Sequence, residues 1–138
     1  MNERLLDHFN KQKIRFVINQ DQTVTDVTTG LTWDRTEAGL MAWDQAMDYA
    51  QGLSRAGATD WRLPTRQELA TLIDLSWKSG PLIDKRFFPQ GEANRYWTST
   101  SKPGSTTAWY VSFDQGRVGR RTKTKYALVR CVRSEPVE

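Results

Sequence analysis

Five cations fall within nine residues near the C-terminal end of the chain: Arg117, Arg120, Arg121, Lys123 and Lys125, with no acid among them. Charges that close together meet a sulfate, phosphate or carboxylate array at once, and arginine adds forked hydrogen bonds to such groups. Trp97, Trp109 and Tyr110 lie just upstream in strand-like segments, where a ring either stacks on a sugar or a base or fills a core. These residues suit binding of an anionic glycan or other polyanion, nucleic acid included. The competing reading of the run is a solvated hairpin that keeps the protein soluble. The charge balance of the chain follows the same division. Residues 95–138 hold nine Lys/Arg against three Asp/Glu, or +6; residues 1–94 hold eleven against thirteen, or −2; together they make the net +4.

Other chemistry is poorly supplied. His8 is the single histidine, so neither a His-based triad nor a zinc site can be assembled. Cys131 is the single cysteine; it cannot close an internal disulfide, and in a strand it reads as a buried, inert thiol. Asp21, Asp26 and Asp34 cluster in sequence, but not at the spacing of a calcium loop, and read as turn and cap carboxylates. There is no glycine-rich phosphate loop and no dinucleotide fingerprint. The residues point to a non-catalytic protein with no metal and no cofactor.

The elements that must position the basic run can be read from the stretch Asp60-Trp61-Arg62-Leu63-Pro64-Thr65-Arg66-Gln67-Glu68-Leu69. Pro64 holds Leu63 extended, and Thr65 with Glu68 forms a capping box ahead of an apolar run, which predicts a helix from Thr65 to Trp77. A second amphipathic helix is predicted over Met41 to Leu53, with Trp43, Ala46, Met47, Ala50 and Leu53 on one face. Ile14, Phe16 and Ile18 alternate as in a half-buried strand. Thr23 to Asp26 and Leu31 to Trp33 flank a turn at Val27-Thr28-Thr29-Gly30 and read as a hairpin. Gly80 to Arg95 reads as an ordered loop. Short β segments follow at Tyr96 to Thr100, Ala108 to Phe113, Arg117 to Arg120 and Tyr126 to Arg133. The pattern is α+β, two helices packed on an antiparallel β-sheet. Trp33, Trp43, Trp61, Trp97 and Leu69 are expected to be buried.

The stretch from Asp60 to Leu69 resembles the signature of the Lcl C-terminal domain family, the globular module at the end of some bacterial collagen-like adhesins. Thr23-Val24-Thr25-Asp26, Thr29-Gly30-Leu31-Thr32-Trp33, Trp43 with Ala46 and Tyr49-Ala50, Ile83-Asp84, Phe88-Pro89, Tyr96 to Thr100, Ala108 to Phe113 and Val129 to Arg133 continue the resemblance in order. It implies a domain over residues 14–133, with an N-terminal extension at 1–13 and a tail at 134–138. The implied fold is C-type-lectin-like, and characterised members bind sulfated glycosaminoglycans. Formylglycine-generating enzymes, similar in fold, work through a cysteine pair that this chain lacks. The calcium-dependent lectin motifs are also missing: Glu92-Ala93-Asn94 and Trp97-Thr98-Ser99 lack the proline and the final carboxylate. The function expected is a binding module for an anionic glycan or other polyanion. A protein-interaction or structural module, cytoplasmic or in a phage particle, stands beside it.

A length of 138 residues suits one domain with one real core. A mean hydropathy of −0.67 argues against a membrane span. Met1 to Asp7 lacks the pattern of a signal peptide, so the expected compartment is the cytoplasm unless export takes a signal-independent route. Leu5, Leu6 and Phe9 fit either a frayed terminus or a short amphipathic helix packing on a second copy.

Overall fold

Asp26 and Gly30 set the first hairpin. The Asp26 Oδ1 accepts from the Thr28 N–H at 3.0 Å, and Gly30, at φ +76°, donates its N–H to the Asp26 carbonyl at 2.8 Å. A left-handed residue costs least when it is glycine. This turn joins β2 (Thr23–Asp26) to β3 (Leu31–Asp34), and β1 (Phe16–Ile18) pairs antiparallel on the outer side of β2. The coordinates, a computed structural model, describe residues 14–88 and 94–134. The reading of residues 1–13 as an extension lies outside them. Strand β1 does not alternate as expected. Phe16 is buried, but Ile14 and Ile18 are exposed, because the strand is a sheet edge that ends one residue after it turns outward.

The chain then forms β4 (Ala38–Met41), a strand the sequence pattern did not reveal, and α1 (Trp43–Gln51). Helix α1 opens where the Gln45 side chain accepts from the Ala42 N–H at 3.0 Å, and it buries Ala46 and Ala50. Thr65 starts α2 (Arg66–Ala70) as expected: its hydroxyl accepts from the Glu68 N–H at 3.1 Å, and Glu68 accepts from the Thr65 N–H at 2.9 Å. The helix does not reach Trp77. From Thr71 to Ile73 the N–H groups reach back three residues instead of four, the Thr71 hydroxyl takes the Glu68 carbonyl at 2.6 Å, and Asp74 donates its N–H to Leu82. That last bond ties the chain to the following loop, so the tertiary pairing ends the helix.

Strands β5 (Arg95–Trp97), β6 (Thr107–Ser112) and β7 (Arg117–Thr122) follow. The last predicted strand is two, β8 (Ala127–Val129) and β9 (Val132–Ser134), because the chain crosses between sheets at Arg130 and Cys131. The sheets are ordered β1-β2-β3-β9 and β4-β8-β5-β6-β7. Pairing is antiparallel except between β5 and β8, which run parallel at Tyr96 and Leu128, so the sheet is not purely antiparallel. Among the described residues the fold is therefore mixed α/β, mostly sheet, with two short helices.

The five-stranded sheet separates two cores. One gathers Phe16, Val24, Trp33, Leu69, Phe88, Tyr96 and Val111; the other gathers Trp61, Leu63, Trp97, Ala108, Val129 and Cys131 against α1. Neighbouring residues such as Tyr96 and Trp97 enter opposite cores, as side chains of a strand must. Trp33, Trp61, Trp97 and Leu69 are buried, as expected, while Trp43 is only half-buried. The Asp60 to Leu69 stretch connects the parts. Arg62 exchanges backbone hydrogen bonds with Val132 at 2.9 Å, and Trp61 donates its indole N–H to the Arg55 carbonyl at 3.1 Å.

Candidate anion-binding site

Strand β6 carries the candidate rings and β7 the candidate cations. In the β6–β7 register, Trp109 faces Arg120, Tyr110 faces Gly119, Ala108 faces Arg121 and Ser112 faces Arg117. Directly opposed residues lie on the same face of a sheet. The pleat therefore divides the basic run: Arg120 stands on the Trp109 face, and Arg117 and Arg121 stand on the Tyr110 face. Lys123 and Lys125 lie in the turn after β7, where the Lys123 ammonium sits 4.3 Å from the centre of the Trp43 ring. The five cations adjacent in sequence do not make one patch.

On the first face, the Arg66 guanidinium lies 4.3 Å from the Trp109 ring centre and Arg120 lies 5.7 Å from it. Arg66 comes from the first residue of α2, which is held here because its N–H donates to the Thr100 hydroxyl at 3.0 Å and Ser99 donates to the Pro64 carbonyl at 2.8 Å. The Trp109 backbone is fixed between Thr98 and Thr100. Beside the ring is a pocket of about 140 Å³ lined by Ser101, Lys102, Ser105, Thr107, Trp109 and Arg120. It holds three hydroxyls, a ring and two cations, Lys102 and Arg120, with Arg66 on the ring beside it and no carboxylate in its lining. Arg66 and Lys102 were not picked out in the sequence. They come from segments that only the tertiary fold brings to β6.

The second face is laid out differently. Arg95 lies 5.3 Å from the Tyr110 ring centre, and the ring covers Gly119 so closely that a Cβ there would stand 2.8 Å from the phenol oxygen. Arg121 donates to the Tyr126 carbonyl at 3.2 Å. Tyr110 thus fills the hollow over a strand glycine. Trp97, the third ring considered, is fully buried and donates its N–H to the Met41 carbonyl at 2.8 Å, so it has no free face to offer.

Among the described residues, none of Arg66, Lys102, Arg117, Arg120, Arg121, Lys123 and Lys125 forms an ion pair, whereas six other arginines do. The clustered aspartates have local partners: Asp26 binds Arg15 at 2.7 Å, Asp34 binds Arg55 at 3.4 Å, and Asp21 accepts from the Thr23 hydroxyl at 2.6 Å. Burial pushes the Cys131 thiol up to about 12, which leaves it protonated and unreactive at neutral pH.

Among the described residues, two packed cores around a mixed sheet define a small α/β domain, with Trp109 and its neighbouring cations at the far strands. Residues 22–133 match the Lcl C-terminal domain family, and the chain belongs to it. No curated protein matches the chain. Among the described residues, no helix is long and apolar enough to cross a membrane.

Proposed function

We propose that this domain is a non-catalytic binding module that takes an anionic glycan or a similar polyanion at the Trp109 cleft. One observation carries the reading: Trp109 is bracketed by Arg66 and Arg120 beside a hydroxyl-lined pocket that also holds Lys102. A sugar ring stacks on the exposed part of the indole while its sulfate, phosphate or carboxylate meets the guanidinium groups. The glycosaminoglycan binding implied by the family resemblance and a C-type-lectin-like scaffold are parts of this same proposal, as is a cytoplasmic or phage-associated setting. A pocket lined by hydroxyls and cations supports binding of an anionic ligand there.

The test is a heparin column eluted with salt, comparing two triple variants that remove equal charge. Changing Arg66, Lys102 and Arg120 to Ser is expected to abolish retention at moderate salt. Changing Arg117, Arg121 and Lys125 to Ser should shift elution only modestly, since those charges lie on the other face or in the turn. Equal shifts would mean that net charge alone holds the polymer, and an unretained parent would end the proposal.

A further inference from the structure

Among the described residues the two sheets have four edge strands, and they are not equivalent. Strand β9 is covered by the Arg62 bridge to Val132, β4 is irregular, and β1 has three residues. Strand β7 has six residues in unbroken register with β6 and ends the five-stranded sheet. The direction of its backbone groups follows from the neighbouring bonds. Lys123 donates to the Thr106 carbonyl at 2.9 Å, one step along the same register. Antiparallel partners alternate between bonded and non-bonded pairs, so Arg121, Gly119 and Arg117 turn their N–H and C=O groups toward β6. Val118, Arg120 and Thr122 turn theirs away. Among the described residues, no hydrogen bond reaches the outward groups of Val118 or Arg120; the Thr122 carbonyl is taken by Lys125 at 3.0 Å, where the strand ends.

We propose that the β7 edge receives an extended acidic peptide, which adds to the sheet as a sixth strand. The backbone groups of Val118 and Arg120 and the Thr122 N–H, spaced by roughly 6.8 Å along the strand, supply the hydrogen bonds of strand addition. Arg120 on one face and Arg117 and Arg121 on the other, with none of them in an ion pair, supply the selectivity for acids on both sides of the added strand. The same charges decide against a second copy of the chain, since pairing two β7 strands sets arginine against arginine. Cations on an edge strand commonly block such self-association; here they also fix the sign of the partner that can replace it. The proposal shares the Arg120 side chain with the Trp109 cleft, but its hydrogen bonds come from main-chain groups that the cleft does not use, so the two can be tested apart.

The probe is a labelled heptapeptide alternating Glu with Val and Thr, measured by fluorescence anisotropy with the full chain. Two N-methylated forms are compared, each methylated at one of the two alternating sets of residues. N-methylation removes N–H donors without changing charge, so the set facing β7 should lose at least about tenfold in affinity while the other set keeps most of it. Val118→Pro removes one outward N–H and no cation, and an edge strand tolerates proline at that position; it should weaken the peptide and leave heparin retention intact. Equal affinity for the two methylated peptides overturns the proposal, and so does unchanged binding by a folded Val118→Pro variant. A parent chain that binds the peptide with the expected methylation pattern but is not retained on heparin would support the edge and count only against the cleft. The peptide pair keeps the test decisive even if Val118→Pro fails to fold.

Discussion

Two arginines of the same sheet system sit in opposite circumstances. Arg130, at the crossing between β8 and β9, is 1% exposed; it donates to the carbonyls of Asp34 and Arg35 at 2.8 and 3.0 Å, lies 3.5 Å from Glu37, and stacks on Phe88 and Tyr96. Arg120, four strands' width away in sheet order from β4 on the β7 edge, is exposed, with its guanidinium 5.7 Å from the Trp109 ring centre. The first has its charge answered within the fold, apart from a buried Nε that lacks a partner. The second has its charge answered by nothing in the described chain. The difference separates an arginine that builds the domain from one left available to a ligand.

The largest expected effects lie at the buried end. Arg130→Ala would take the donor from the Asp34 and Arg35 carbonyls and the cation from beside Glu37, which keeps its bond from the Tyr96 hydroxyl; breaking a buried pair of this kind typically costs about 3 to 5 kcal/mol. Lysine at that position keeps the charge but has one nitrogen where arginine uses two, Nη1 on both carbonyls and Nη2 toward Glu37, so it should restore only part of the loss in urea unfolding. Trp61→Ala belongs in the same class: a ring that is 3% exposed at the joint between β9 and α2 should cost roughly 3 to 5 kcal/mol. Less than 1 kcal/mol in either case would erase the contrast with the edge. Thr65→Ala is intermediate, at about 1 kcal/mol for the lost cap.

How much of this was legible depended on range. The Asp26–Gly30 turn and the Thr65–Glu68 capping box are local devices, written in residues three or four apart, and both stand where the sequence put them. Helix α1 was legible from its period, apart from the strand that precedes it. The early end of α2 was not, since it is set by the Asp74 bond to Leu82. Nor was the division of Tyr126 to Arg133 into two strands, which follows from Arg130 reaching across to Asp34 and Arg35. The cleft shows both cases. Trp109 and Arg120 were visible as candidates, and the alternation that sends Arg121 to the other face is a property of any strand. Arg66 and Lys102 lie 43 and 7 residues from Trp109 along the chain, and only the packing of α2 and the 98–107 loop brings them in.

Acid sharpens the comparison in a different way. In Glu68 the Arg62 hydrogen bond outweighs burial and holds the carboxyl below its usual range. In Asp34 burial dominates over the Thr36 N–H and the charges of Arg55 and Arg130, and raises it. A depressed carboxyl gives stability that is present above the unfolded value of about 4 and lost as pH falls through the folded one; a raised carboxyl gives stability present below the unfolded value and lost as pH rises through the folded one. Glu68→Gln should therefore differ most from the parent at neutral pH and least in acid. Asp34→Asn should gain on the parent as pH rises. Parallel slopes in the two unfolding series would show that Asp34 is held charged by its arginines, and that the buried end is neutralised more completely than its burial indicates.

The smallest expected effect is Arg120→Ala. Its guanidinium is in water, it forms no ion pair, and its contact with Trp109 is shared with the closer Arg66. Removing it also relieves repulsion from Arg117 and Arg121 along the strand. Gains and losses of this kind at an exposed position usually leave stability within about 0.5 kcal/mol, while a ligand that uses the side chain should weaken measurably. Unfolding midpoints and salt-gradient elution on the same preparation separate the two. A stability loss above about 1 kcal/mol would show that Arg120 clamps Trp109 as part of the fold, and the β7 edge would then resemble the Arg130 crossing more than it differs from it.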